Sequence, residues 1–182
     1  MGWLGKENIQ KISTEIAGPI GKAMSIAIAA IEDTGEYDSY TEKQSSSLAF
    51  DAAIFCMFAK MSNADKIIVI EEKTVIRAFL DGNNYDTKSI QLLLNIFNEV
   101  KNNTIAVSDY INQYKEITEN METEKEIIEC DEILLETLIA LSISDDTIVQ
   151  AEMDILHQIC DTLEIEREYL TYLLEDFDYQ AK

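Results

Sequence analysis

Two short runs of the chain bring acidic side chains close together. Asp65, Glu71 and Glu72 form one set, and Asp145, Asp146 and Glu152 form the other. Clustered oxygens with no Cys or His among them suit a hard cation such as calcium or magnesium. Neither run has the D-x-D-x-D-G spacing of an EF-hand loop, so tight calcium binding is not implied. The runs are copies of one another. Met61 to Leu80 lies over Leu141 to Cys160 without a gap, at a constant offset of 80. Ser62 falls on Ser142, Asp65 on Asp145, Ile68 on Ile148, Val69 on Val149 and Glu72 on Glu152. Further upstream Phe55 matches Leu135 and Phe58 matches Leu138.

The shared pattern is (A/S)-D-x-x-I-V-x-x-E. The Asp closes one helix, the Ile plugs the bend into the core, and the Glu stands in the first turn of the next helix. Its carboxylate can turn back toward the bend and join the Asp in holding an ion. It can equally serve its own helix, by accepting backbone N–H groups and countering the helix dipole. Each copy therefore needs a buried helix, a bend and an amphipathic helix. One such hairpin cannot bury both faces, so two should share a core.

The rest of the chain supplies helices for this. Of 6 Gly and 1 Pro, five glycines and the proline precede residue 36, and Gly82 alone follows. Sheets need more turn residues than that, and no useful stretch alternates at period 2. Leu48 to Met61 is apolar nearly all round and predicts a central helix. Val69 to Leu80 predicts a second, with Val75, Ile76, Phe79 and Leu80 inward and Gly82 as a left-handed end. Asp86 or Thr87 caps a third, which runs to about Lys101 and turns Ile90, Leu93, Leu94 and Phe97 to one side. Asp109 to Glu119, Glu122 to Ile143, Val149 to Leu163 and Glu166 to Phe177 follow. The acidic start of the Glu122 helix suits its dipole.

Ile16 to Ile31 is apolar but shorter than a membrane span and carries Lys22. Glu7 and Glu15 precede it, unlike the basic start of a signal peptide. It predicts helix packed on the domain, or a segment that touches a membrane surface or partner. Glu36 to Ser47 reads as a linker ending in a cap, which gives an extension over 1–44 and a domain over 45–178.

With 14 basic and 35 acidic side chains the net charge is −21. That argues against binding nucleic acid or anionic lipid through charge. Cys56, Cys130 and Cys160 lie in apolar segments without a CxxC pair, as expected of buried thiols in a reducing compartment. His157, the single histidine, is five residues past Glu152 and so on another face. Tyr169, Tyr172 and Tyr179 read as packing. No phosphate-cradling Gly loop, G-x-S-x-G or H-E-x-x-H occurs.

Ala64-Asp65-Lys66-Ile67-Ile68 before Glu72, and Ser144-Asp145-Asp146-Thr147-Ile148 before Glu152, resemble the A-D-G-x-I-x-x-x-E signature of the TerB-like domain family. The resemblance spans about Ser45 to Glu175. It implies an all-α bundle of about seven to nine helices with two pseudo-twofold related hairpins. It also implies a divalent-metal site at Asp65, Glu71, Glu72, Asp145, Asp146 and Glu152. The implied role is resistance to tellurite or related stress, without catalysis, in a bacterial cytoplasmic protein that meets a protein partner. Contact with the inner face of the membrane would run through residues 1–31. The chain departs from the signature at Lys66 and Asp146, where the family has Gly, and at Val69 and Val149, which cannot cap a helix. Lys66 sets a cation beside the first carboxylates, so the metal reading is stronger at the second copy. The competing expectations are metal-assisted hydrolysis by the carboxylates and acidic mimicry of a nucleic acid.

Overall fold

The computed structural model describes residues 18–32, 42–64, 70–83, 85–119, 123–144 and 147–177, with backbone alone at 28–32 and 42–48. Among them are eight helices and no strand. They are α1 (Pro19–Glu32), α2 (Glu42–Met61), α3 (Ile70–Gly82), α4 (Thr87–Asn102), α5 (Val107–Thr118), α6 (Glu124–Ser142), α7 (Gln150–Leu163) and α8 (Arg167–Asp176).

The centre is α2. Every side chain from Ala52 to Ala59 is excluded from solvent. A helix with no polar face must be covered all round, and α1, α4, α5 and α6 do so. Phe79 of α3 meets Phe55 and Phe58 at ring-centroid distances of 6.0 and 5.3 Å, which closes the first hairpin. The second hairpin is α6 with α7; α3 and α8 pack on α6, and α7 also packs on α5. Positions related by the offset of 80 share the core: Phe55 and Leu135, Phe58 and Leu138, Met61 and Leu141, Ile76 and Leu156 are all buried.

The segment before the central hairpin joins the same core. Pro19 occupies the first turn of α1, where its missing N–H costs nothing. Ile20, Ala23, Met24 and Ala27 are buried. The Ile20 N–H, an orphan donor of that first turn, donates to Oε1 of the buried Gln113 on α5 at 2.6 Å. Gly18 makes the approach feasible. It holds φ of +133°, and a Cβ there would stand 2.9 Å from the Gln113 amide.

Several ends follow the expected chemistry. Asp86 caps α4 by accepting the Ser89 N–H at 2.7 Å. Thr123 and Glu126 form a reciprocal capping box at the acidic start of α6. At the end of α2, Lys60 donates to the Asn103 carbonyl and Oδ1 at 3.2 and 3.0 Å, and lies over the Tyr110 ring. Burial lowers the Lys60 ammonium from its ordinary value. Lys115 donates to the Thr162 carbonyl at 3.0 Å and pairs with Glu164 at 2.9 Å, which ties α5 to the end of α7. Glu164 itself is left-handed, at φ 60°.

Three expectations need correction. The α2 helix starts at Glu42, so Ser45 to Ser47 lie inside it and do not cap it; residues 36–41 of the expected linker lie outside the described residues. Gly82 is the last helical residue of α3 and lacks a positive φ. Val75, Phe79, Ile90 and Leu94 do pack against the core, half-buried. Tyr172 stacks on Tyr169 yet stays 60 % exposed, and Tyr179 lies outside the described residues.

The Gly82 result is testable. A Cβ there meets nothing within 4 Å. Gly82→Ala should therefore raise unfolding free energy by about 0.5 kcal/mol through the unfolded chain. Urea denaturation would read it; a loss would mean that a left-handed end is needed after all.

Candidate functional site

The two bends are built from matching parts. In the first, α2 closes with the Ser62 N–H on the Phe58 carbonyl and the Ala64 N–H on the Met61 carbonyl. In the second, α6 closes with Ile143 on Ile139 and Ser144 on Leu141. The chain then runs extended through Thr147 to Val149 and enters α7.

Glu152 explains how α7 begins. Val149 has no side-chain oxygen to cap with. The Glu152 carboxylate turns back instead, and its Oε2 accepts the Val149 N–H at 2.9 Å. This is the reach-back half of a capping box, placed where the helix dipole favours an anion. Glu72 holds the matching place in the first turn of α3. Both are nearly buried, with 5 % of Glu72 and 7 % of Glu152 exposed. Carboxylates are rarely buried this far unless engaged.

Glu71 does not join them. It is exposed, because successive helical side chains diverge by about 100°. Asp65, Asp145 and Asp146 lie outside the described residues. Among the described residues no group of three or more His, Cys, Asp and Glu side chains is placed to hold a metal. Each bend there offers one buried carboxylate, whereas a calcium ion takes 6–8 oxygens and magnesium about six. The oxygen chemistry of Glu72 and Glu152 fits a hard cation; the shell would need the three aspartates as well.

His157 is half-buried on α7. None of the three thiols is in a disulfide; Cys56 and Cys160 are buried and Cys130 is half-buried. Burial pushes all three up, Cys130 and Cys160 to about 11. Thiolate character at neutral pH is therefore minimal.

The offset of 80 relates a further pair that the sequence reading missed. Asp51 on α2 corresponds to Asp131 on α6. Each faces a phenol from another part of the fold. Burial and then the Asp51 carboxylate push the Tyr85 hydroxyl up. Burial and then Asp131 do the same to Tyr114. Burial also pushes the Asp131 carboxyl up to about 6, against the pull of Tyr114 and Lys115. Tyr114 Oη and Asp131 Oδ1 are buried and, among the described residues, neither has a hydrogen-bond partner of good geometry. Asp in an otherwise apolar helical stretch was the available signal. An apolar cavity of about 640 Å³ between α3 and α4 was also missed. Its signal was Lys73 and Arg77, one turn apart and flanking Ile76.

Paired helical hairpins around a buried central helix, with one first-turn Glu buried in each, define a duplicated all-α acidic domain. The family model for the tellurite resistance protein TerB matches residues 51–172, and the chain belongs to that family. No curated protein and no solved structure matches it.

Asp131 gives a pH prediction. Its carboxyl binds a proton more tightly folded than unfolded, so stability should rise as pH falls through about 6 toward 4. Asp131→Asn should flatten that rise and, allowing for partial exposure, stabilise at pH 7 by about 1 kcal/mol. Thermal melts of both proteins across pH 4–8 would check it. Parallel curves would remove the assignment.

Proposed function

We propose that this is a non-enzymatic stress-resistance protein of the tellurite-resistance type that acts by binding. Its acidic domain meets a protein partner and takes up a divalent cation, calcium or magnesium, at the paired bends. The observation that carries the reading is the matched burial of Glu72 and Glu152, each in the first turn of the second helix of its hairpin. Asp65 would complete the first bend, and Asp145 and Asp146 the second. The cation would supply positive charge to a bend rich in carboxylates and fix one helix against the next; no bond in a substrate is broken. Membership of the TerB family supports the stress role.

The proposed place of action is the cytoplasm, with contact at the inner face of the membrane. No helix of the described residues is long and apolar enough to cross a membrane. Ile20, Ala23, Met24 and Ala27 of α1 are buried in the bundle core, while Ile26 is exposed. Membrane contact through residues 1–31 would then use the rest of that stretch, Ile26 included.

Titration of the full chain with calcium and with magnesium, followed by amide NMR, tests the cation. Saturable shifts at Thr147 to Glu152 are expected by millimolar metal. They should weaken at least tenfold in Asp145→Asn and in Glu152→Gln, since Gln can still accept the Val149 N–H. Shifts absent at millimolar metal, or unchanged in both variants, would leave partner binding alone.

A further inference from the structure

The cavity between α3 and α4 has the opposite electrical character to the rest of the molecule. Its walls are apolar, formed by Ile76, Leu80, Ile90, Leu94 and Phe97. Three cations edge it: Lys73, Arg77 and Lys101. None of the three makes an ion pair among the described residues, although the chain carries 35 acidic side chains against 14 basic ones. The volume, about 640 Å³, is that of a site for one small organic molecule.

Residues 83–86 join α3 to α4. The lining residues nearest that connection are Leu80, Asp81 and Ile90. Those furthest from it along each helix are Lys73 on α3 and Lys101 on α4, with Arg77 between. The lining thus carries three cations, an apolar floor and a single carboxylate, Asp81, one helical turn from Arg77. From Ile90 to Lys101 the wall of α4 is about 16 Å long at 1.5 Å per residue, the reach of a medium-length acyl chain. The half-burial of Ile90 and Leu94, which line this gap, follows from it, because α3 packs on α6 and scarcely on α4.

We propose that this cavity binds one monomeric fatty acid. The carboxylate sits among Lys73, Arg77 and Lys101, and the acyl chain lies along Ile76, Leu94 and Phe97 toward Leu80. The net charge of −21 repels an anion at long range, but at physiological salt that repulsion is screened beyond about 8 Å while contacts inside the cavity are not. The site is independent of the cation reading, since neither Glu72 nor Glu152 lines it.

The test is a titration of the full chain with dodecanoate below its micelle-forming concentration, set beside dodecyltrimethylammonium, which has the same tail and the opposite charge. Dodecanoate should bind one to one, with amide shifts centred on Ile76, Leu94 and Phe97. Dodecyltrimethylammonium should bind at least tenfold more weakly. The exposed double variant Lys73→Glu/Arg77→Glu should lose at least tenfold in dodecanoate affinity while keeping its circular dichroism and melting temperature. Leu94→Trp, which fills the floor, should lose binding too. Equal affinity for the two amphiphiles, or unchanged affinity in the double variant, would overturn the proposal. So would a wild-type dimer that the double variant dissolves, since a second copy would then be the occupant. Displacement of Trp3 by dodecanoate, read in its fluorescence, would assign the cavity to residues 1–17 and overturn it likewise.

Discussion

The architecture turns on a helix that has no side to show to water. From Ala52 to Ala59 every side chain of α2 is out of solvent, and at about 25 cal/mol per Å² of apolar surface that helix cannot stand alone. It therefore needs neighbours on every side. The second hairpin supplies α6, the intervening segment supplies α4 and α5, and α1 closes the remaining side. The two outer helices, α3 and α7, are then left to lie on this inner layer. Each must turn back sharply from a buried helix, and each turn needs its backbone donors satisfied. The buried Glu of each hairpin stands where those donors are, at the start of the outer helix.

Duplication explains what the halves share, and packing explains where they part. Phe55 and Leu135, Phe58 and Leu138, Met61 and Leu141, and Ile76 and Leu156 are buried alike, whereas Ala53 is buried and its counterpart Ile133 is exposed. Glu72 and Glu152 are buried alike too. Asp51 and Asp131 each oppose a phenol, yet Tyr85 comes from the α3–α4 connection and Tyr114 from α5. The surroundings differ more at the outer helices. α7 is held by α5, α6 and α8, and Lys115 and Arg167 pin its far end. α3 is held by α6 and by the Phe79 rings, with α4 standing off. The cavity lies at that loss of symmetry. A helix with fewer neighbours leaves room beside it.

Much of this was legible because it depends on neighbours in sequence. The periodicity of Ile90, Leu93, Leu94 and Phe97, the Asp86 cap and the acidic entry to α6 are local signals with local physics, although the buried face turns out to centre on Leu92, Leu93, Ile96 and Phe97. The repeat carried the pairing of the hairpins. What stayed hidden depends on partners far along the chain. Nothing near Gly18 announces that Gln113, 93 residues from Ile20, will accept its N–H. Gly82 reads as a left-handed end by composition, but the chain turns at the following polar residues and leaves it helical. Glu164, not a glycine, takes the left-handed place, where Lys115 holds its carboxylate and the Ile165 N–H reaches the Cys160 carbonyl. Three serines suggested a cap at Ser45 to Ser47, but helix continues through them from Glu42. The bends themselves were read from Asp65, Asp145 and Asp146, which lie outside the described residues, so the site is legible here through Glu72 and Glu152.

The distribution of charge gives these parts a common logic. Acidic side chains cover a molecule whose basic ones are few, so the position of each cation carries weight. Lys60, in the last turn of α2, serves the Asn103 carbonyl that caps the end of α4, and Lys115 serves the end of α7; exposed carbonyls and the negative end of the helix dipole attract cations there. Arg167 grips Asp161 across the α7–α8 turn, and Lys125 pairs with Glu129 one turn away. These cations stabilise the fold. Lys73 and Arg77 have no such duty; Lys101 stands in the last turn of α4, and all three line the apolar opening between α3 and α4. Isolated exposed charges contribute little to stability. Cations that make no ion pair among the described residues and line an apolar trough are placed where a ligand's charge would be worth more to them than solvent. The fold thus sets two different electrostatic environments side by side along α3: a buried carboxylate in its first turn, and from the next residue onward a cationic, apolar-floored face.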